Sequence, residues 1–421
     1  MKRTLLISIA AASLEAALVM PVRLAAQQPG YNVTDLGTLG GSSSIAFGVN
    51  SAGRIGGSST LAPGGQVQHP FLWDRGRMID AGALGAGLNA GGSAPSPSGA
   101  LAIAAEIAQN DPLGEDYCFF GTGLKCVAAV WKDGTMTQLP TLSPGKNAIA
   151  IMVNARGQLI GWADTATTDN TCIAPQQLQF EAVIWGPTAD QIQKLPPLPG
   201  DTVGLAMALN DLGQAVGASG TCANTSLFPF PFGPHAVLWD KGSPINLGDV
   251  GGTGNSTAAA INNRTEVVGG SFFPDGTLHT YLWTRQTGKM EDLGTVKNMP
   301  VAAPAGINNS GQITGFACDP ASNTCLAYVS QANVLIDLND LIPANSPLYL
   351  AFAYGINDVG EIVGQAVDKN TGEMHAFRAS PIHGASNRES LPRAVETTTR
   401  PVPLPDNIRK LLGQGRGIRG R

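Results

Sequence analysis

Ionisable side chains recur at fixed places in this sequence, as a metal centre or an acid–base pair would require. His69, His235, His279 and His375 each open a short apolar run, as in HPFLW, HAVLW, HTYLW and HAFR. Asp35, Asp80, Asp292 and Asp337 stand in segments such as MEDLG and VLIDL. In INDVGEIVG, Asp358 and Glu361 lie three residues apart beside Asn357. Four imidazoles on one axis could hold a metal, and clustered carboxylates could bind calcium or move protons. Each reading depends on which elements carry these groups.

Those elements are repeats. INDVGEIVG has relatives in VNSAGRIGG, VNARGQLIG, LNDLGQAVG, INNRTEVVG and INNSGQITG, with a degenerate copy PSPSGALAIA. Their anchors are Asn50, Ser96, Asn154, Asn210, Asn262, Asn308 and Asn357, spaced 46 to 58 residues apart. About twenty residues after most anchors comes an apolar run ending in an aromatic, with Trp73, Trp131, Trp185, Trp239 and Trp283 as examples. A short turn follows, then a segment closing on a Leu-Gly or Leu-Pro step. Each unit therefore predicts four short strands bounded by Gly, Pro, Asn or Asp. Four strands at this period mark a β-propeller blade.

The expected fold is all-β, a seven-bladed β-propeller over residues 31–380. NVTDLGTL at the start supplies a fourth strand, and HAFRAS at the end lacks one. The N-terminal strand is expected to complete the last blade, leaving no sheet edge to aggregate. An open β-solenoid or two smaller propellers are the other architectures the repeats allow.

HAF at 375–377, HAVLW, DLGTLGG and the repeated INxxGxIVG resemble the HAF-repeat family of extracellular bacterial proteins. The resemblance spans Tyr31 to Ser380. It implies an extracellular or envelope protein with a propeller-like fold, and it supplies no reaction or catalytic residues. Unit two departs most, with Ser96 for Asn and no His; unit five has Thr265 for the turn Gly.

Against the repeats, the acid-site reading of INDVGEIVG weakens. The Asp358 position holds Ser51, Ala155, Asp211, Asn263 and Asn309 elsewhere, and the Glu361 position holds Arg54, Gln158, Gln214, Glu266 and Gln312. Asn357, Gly360 and Gly364 recur, so this is expected to be a tight turn, with Gly at φ > 0. The histidines are expected to bond nearby turns and the aspartates their own backbone two residues on. The Trp residues are expected to pack between blades; an exposed row would instead suit sugar stacking. GGTGNST (251–257) is a turn between units and not a phosphate loop. No GxSxG, HExxH or Walker pattern occurs, so no catalytic residue, metal or cofactor is assigned.

The ends and cysteines point to export. Residues 1–26 read as a signal peptide: Lys2 and Arg3, an apolar run, then Ala25 and Ala26. An oxidising compartment predicts disulfides Cys118–Cys126, Cys318–Cys325 and Cys172–Cys222. Charged residues make up 14% of the chain and the net charge is −5, without the basic stripe of a nucleic-acid binder. No later segment is long and apolar enough for a membrane helix. Residues 381–421, with eight basic and three acidic residues, read as a disordered Pro/Gly-rich tail.

The functional expectation is a secreted or periplasmic monomer acting as a binding or scaffold module for an extracellular protein or glycan. The alternative is a propeller-based polysaccharide lyase or hydrolase. The longest insertions, 106–126, 164–180 and 219–234, fall between second and third strands of units two, three and four, and they form the candidate binding sector.

Overall fold

The computed structural model describes residues 30–186, 188, 191–226, 232–382 and 402–405. The expected signal peptide and most of the tail lie outside these. The described chain is all-β, with no α-helix and a single 3-10 turn at Leu338–Leu341.

Strands β2 (Ser44–Val49), β3 (Ile55–Thr60), β4 (Gln68–Asp74) and β5 (Arg77–Asp80) form an antiparallel sheet in sequence order, unit one. Unit two holds β6 (Ala90–Pro95), β7 (Leu101–Asn110), β8 (Leu124–Lys132) and β9 (Thr135–Gln138). Unit three holds β10 (Ala148–Val153), β11 (Leu159–Thr168), β12 (Leu178–Trp185) and β13 (Ile192–Leu195). Unit four holds β14 (Val203–Leu209), β15 (Ala215–Gly220), β16 (His235–Asp240) and β17 (Ser243–Gly248). Unit five, β18 (Ser256–Ile261), β19 (Glu266–Phe272), β20 (Leu278–Thr284) and β21 (Lys289–Gly294), shares one sheet with unit six. Unit six is β22 (Val301–Ile307), β23 (Ile313–Asp319), β24 (Thr324–Gln331) and β25 (Val334–Asp337), joined through one parallel pair, Leu278 with Val301. In the last sheet β26 (Leu348–Ile356), β27 (Ile362–Asp368) and β28 (Met374–Pro381) take β1 (Tyr31–Asp35) as fourth strand, with Val33 opposite Ala379.

The repeated motif makes the turn between first and second strands. Asn357 Oδ1 accepts from the Glu361 amide at 2.9 Å, and the Gly360 amide donates to the Asn357 carbonyl at 3.0 Å. Gly360 sits at φ +84°, and Gly53, Gly157, Gly213 and Gly311 occupy the same left-handed region. Thr265 adopts it too, at φ +58°, and its hydroxyl donates to Gln214 Oε1. A β-branched residue is strained there, and this hydrogen bond to the neighbouring unit offsets part of that cost.

Gly364 corrects the sequence reading. It is a strand residue of β27 rather than a turn residue. Each first strand carries a bulge, between Ala353 and Gly355 in this unit. The bulge pushes a carbonyl against the facing second strand. A Cβ on Gly364 would lie 1.9 Å from the Phe352 carbonyl oxygen; Gly57, Gly161, Gly217, Gly269 and Gly315 face equivalent carbonyls at 1.9 to 2.3 Å. Unit two inverts the arrangement, with Ile103 on the second strand opposite Gly92 on the first.

The tryptophans pack between units. Trp185 and Trp239 are 0% and 1% exposed, and Trp73, Trp131 and Trp283 are also buried. Trp185 Nε1 donates to the Pro140 carbonyl and Trp239 Nε1 to the Pro196 carbonyl, each in the preceding unit. Burying rings of this size stabilises by roughly 1.5–3 kcal/mol each, and the exposed row that sugar stacking needs is absent for these five.

The same asparagines also join units. Asn50 Nδ2 donates to the Ser96 carbonyl, Asn154 to that of Asn210, Asn210 to Asn262, Asn262 to Asn308, and Asn308 to Asn357. Asn357 Nδ2 then reaches the Asn50 carbonyl at 3.0 Å. Ser96 has no amide to pass on; its hydroxyl bonds Ser98 and the Ala100 amide instead. Asp358 has a related role: its carboxylate accepts from the Asn309 backbone at 2.8 Å and the Asn309 side chain at 2.9 Å.

Candidate functional site: the joined insertions of units two to four

Strands alternate in direction, so the loops between second and third strands lie at the end of the sheets opposite the Asn turns. In units two and three part of the expected insertion is strand. β7 and β11 run ten residues each, past irregularities at Glu106–Asn110 and Asp164–Thr168. The loops proper are 111–123, 169–177 and 221–234, the last described except for 227–231.

These loops are tied together. Glu115 reaches from unit two into unit three, where its Oε1 accepts from the Gln177 amide at 2.9 Å, the Leu178 amide at 2.7 Å and Gln176 Nε2 at 3.0 Å. Gln177 Nε2 returns a bond to the Leu113 carbonyl at 2.7 Å. The Cys172–Cys222 disulfide then links unit three to unit four, while Cys118–Cys126 closes the unit-two loop and Cys318–Cys325 a hairpin in unit six. All three cysteine pairs match the sequence expectation.

At the base of the sector, three buried carboxylates surround one amide. Asn147 Nδ2 lies 3.1 Å from Asp111, 3.2 Å from Asp164 and 3.4 Å from Glu115. Asn147 Oδ1 accepts from the Cys126 amide, which fixes the orientation of the side chain. Asp164 also accepts from the Lys146 and Asn147 amides at 2.6 and 3.0 Å. Among the described residues no ion pair reaches these three acids. Burial pushes the Asp164 carboxyl up to about 7, helped by the Glu115 charge and opposed by the Asn147 and Lys146 amides. Burial raises Glu115 as well, with the Asp111 charge adding to it. The Tyr117 phenol is raised by burial and then by Asp164 and Glu115. Tyr117 Oη and Trp162 Nε1 are buried without a hydrogen-bond partner among the described residues. Sequence reasoning placed the sector but missed this cluster. The sequence shows the acids of NDP, GEDY and ADT but nothing that brings them together.

The recurrent histidines do not converge. His69 pairs with Asp80 at 2.9 Å, His279 with Asp292 at 3.1 Å and His375 with Asp35 at 2.8 Å, each across third and fourth strands of one unit. His235 takes Asp201 at 2.8 Å, since Asn246 stands where a fourth-strand Asp would be. The aspartates also bond their own backbone two residues on: Asp35 to Gly37, Asp80 to Gly82, Asp292 to Gly294, Asp337 to Asn339. Asp35, Asp368 and His375 bring donor atoms within 4.8 Å of one another, a grouping hidden in the sequence by distance along the chain. Two of the three already bond each other there. The GGTGNST loop is likewise filled from within, its Gly251 and Gly254 amides donating to Asp249.

At the opposite end of the strands, a cleft of about 430 Å³ opens between units four and five, beside Leu212, Asp240, Lys241, Thr265 and Arg285. Arg285 and Asp240 form an ion pair across it.

No family model matches the chain, and no curated protein matches it. Solved structures resemble it at low identity. A puromycin hydrolase mutant complexed with PGG is 13% identical with a TM-score of 0.48, covering 78% of this chain and 52% of that one. The β-propeller domain of the Trilobed protease from Pyrococcus furiosus is 9% identical with a TM-score of 0.47, covering 80% and 95%. TolB from Acinetobacter baumannii is 11% identical with a TM-score of 0.41, covering 68% and 61%. The chain thus spans about half the length of the puromycin hydrolase, and no residue role is carried across.

Proposed function

We propose that the seven units close into a seven-bladed β-propeller that serves as an exported binding or scaffold module. In this reading the joined insertions of units two to four meet the ligand, an extracellular glycan or protein. Support for closure comes from β1 completing the last sheet and from Asn357 bonding the first unit across 307 residues. Three disulfides and the N-terminal pattern support export, and the repeated motifs support membership of the HAF-repeat family.

One observation carries the binding reading. Glu115 and Cys172–Cys222 lock loops from three successive units into one preorganised surface. Surface loops held in this way lose little entropy when a ligand binds, and rigid scaffolds tend to carry function on such loops.

Catalysis on a polysaccharide is the second reading, favoured by Asp164, whose carboxyl near 7 lies in the range of a general acid. Asp164 is fully buried, and substrate would have to open the sector to meet it. The test is retention on cell-wall and plant glycans and envelope proteins, with product detection. Replacing the loops at 111–123 and 169–177 by short turns abolishes retention while the β circular-dichroism signal persists. Retention by the loop-deleted protein overturns the proposal; release of shortened glycan favours the enzyme.

A further inference from the structure

Four residues of the C-terminal segment, Val402–Pro405, lie against units six and seven, and for them the expectation of a disordered tail is corrected. Leu404 is 1% exposed, within an apolar cluster that includes Phe316, Cys318, Cys325, Tyr328 and Tyr349, with Val402 beside it. Pro403 bridges Thr324 in antiparallel sense at the start of β24.

The local sequence explains the fit. From Pro401 to Pro405 every second residue is proline, so only Val402 and Leu404 carry amide N–H groups. The Leu404 amide donates to the Asn323 carbonyl at 3.2 Å. Alternating prolines hold the backbone extended before docking, which cuts the entropy lost on binding. The prolines cannot extend the ladder of β24, so one bridge and one side-chain pocket set the register. On the protein side the carbonyl of Asn323 is held at the tip of a hairpin stapled by Cys318–Cys325, whose two residues face each other in register. A fixed carbonyl and an apolar, aromatic-lined pocket are parts by which extended proline-rich peptides are recognised.

We propose that this groove is a recognition site for an extended Pro-Xaa-Pro-Leu-Pro segment. This chain's own residues 402–405 fill it in cis, and the same motif on another protein is the partner it fits. The proposal does not depend on the insertion sector.

The test uses the full chain and a fluorescent peptide of sequence Arg-Pro-Val-Pro-Leu-Pro-Asp, read by anisotropy. The Leu404→Asp chain, its groove vacated, binds the peptide saturably. The wild-type chain binds about tenfold or more weaker, as expected when the competent state is a minor fraction. A peptide with Asp for Leu does not bind. Absence of binding to Leu404→Asp, equal binding to both chains, or equal binding of the Asp peptide overturns the proposal. Should Leu404→Asp lower the folded fraction, hydrogen exchange on the wild-type chain decides. A protected amide at Leu404 that excess peptide releases supports it; fast exchange without peptide overturns it.

Discussion

His375 Nδ1 lies 2.8 Å from Asp35 Oδ2, across 340 residues of chain. The pair fastens β1 to β28, and the Gly37 amide holds the other Asp35 oxygen. The hydrogen bond to Asp35 raises the His375 imidazole above its ordinary value, against burial and with help from the Asp35 and Glu373 charges. For Asp35 burial acts upward, but His375 and the Gly37 amide together bring its carboxyl below the usual range.

The pH dependence of this clasp follows. A raised imidazole stabilises the fold fully below its unfolded value, about 6.5, and the gain is lost as pH rises through the folded value. A depressed carboxyl stabilises above about 4 and loses the gain as pH falls through its folded value. Asp35→Asn therefore lowers the melting temperature most between about pH 4 and 6.5. Asp35 is partly exposed, so screening holds the effect to about 1 kcal/mol or less. A loss that is constant across pH 4 to 9 contradicts the assignment.

Asn357 is expected to matter more than either acid beside it. Asn357→Ala strips the turn of its acceptor and the Asn50 carbonyl of one of its two donors, at a cost of about 2–3 kcal/mol in urea unfolding. Asn357→Asp costs at least as much, because Asn357 Nδ2 also donates to Glu361 at 2.8 Å and a carboxylate there faces a like charge. Asp358→Ser, the residue of unit one, costs about 1 kcal/mol or less. A larger loss from Asp358→Ser than from Asn357→Ala reverses the argument.

Gly364→Ala should destabilise by about 1–3 kcal/mol or more, since the added methyl meets backbone and not a movable side chain. Gly360→Ala costs about 1–2 kcal/mol from its positive φ alone. Equilibrium unfolding of both variants distinguishes the two causes: only the Gly364 variant should shift amide signals in β26.

These residues show what the sequence could and could not tell. Asn357 and Gly360 were legible because a turn is closed by groups within five residues of each other. The cross-unit bond of Asn357 was not, since its partner is set by rotation from one unit to the next. Gly364 recurred visibly, but its reason lies in a bulge on another strand. Cys118–Cys126 and Cys318–Cys325 followed from their short spacing, and Cys172–Cys222 as the pair that remained. His235 shows the limit of analogy: its third-strand position recurs in other units, but the Asp it bonds comes from a different loop. The Glu115 network and the Leu404 pocket depend on an insertion inside a unit and on a segment beyond the last unit, where periodicity gives no register.

The buried acids of the insertion sector predict a second pH effect. With its carboxyl at about 7, Asp164 holds a proton in the folded chain that the unfolded chain releases near pH 4. Stability from this group is full below about pH 4 and lost as pH rises to about 7. Folding near pH 5.5 should take up close to one proton at this site, measurable as buffer-dependent heat in calorimetry. Asp164→Asn should remove that uptake even though it lowers overall stability, because an amide cannot accept from both the Lys146 and Asn147 amides as the carboxylate does. Unchanged uptake in the variant rejects the assignment.

Closure of the ring by β1 is the claim on which the display of the insertion sector rests. Hydrogen exchange of the Tyr31–Asp35 segment measures it directly. These amides should exchange as slowly as those of β28, with which they pair, and Asp35→Asn should speed both together. Exchange of Tyr31–Asp35 at the rate of an unstructured peptide, while β26 to β28 stay protected, contradicts it.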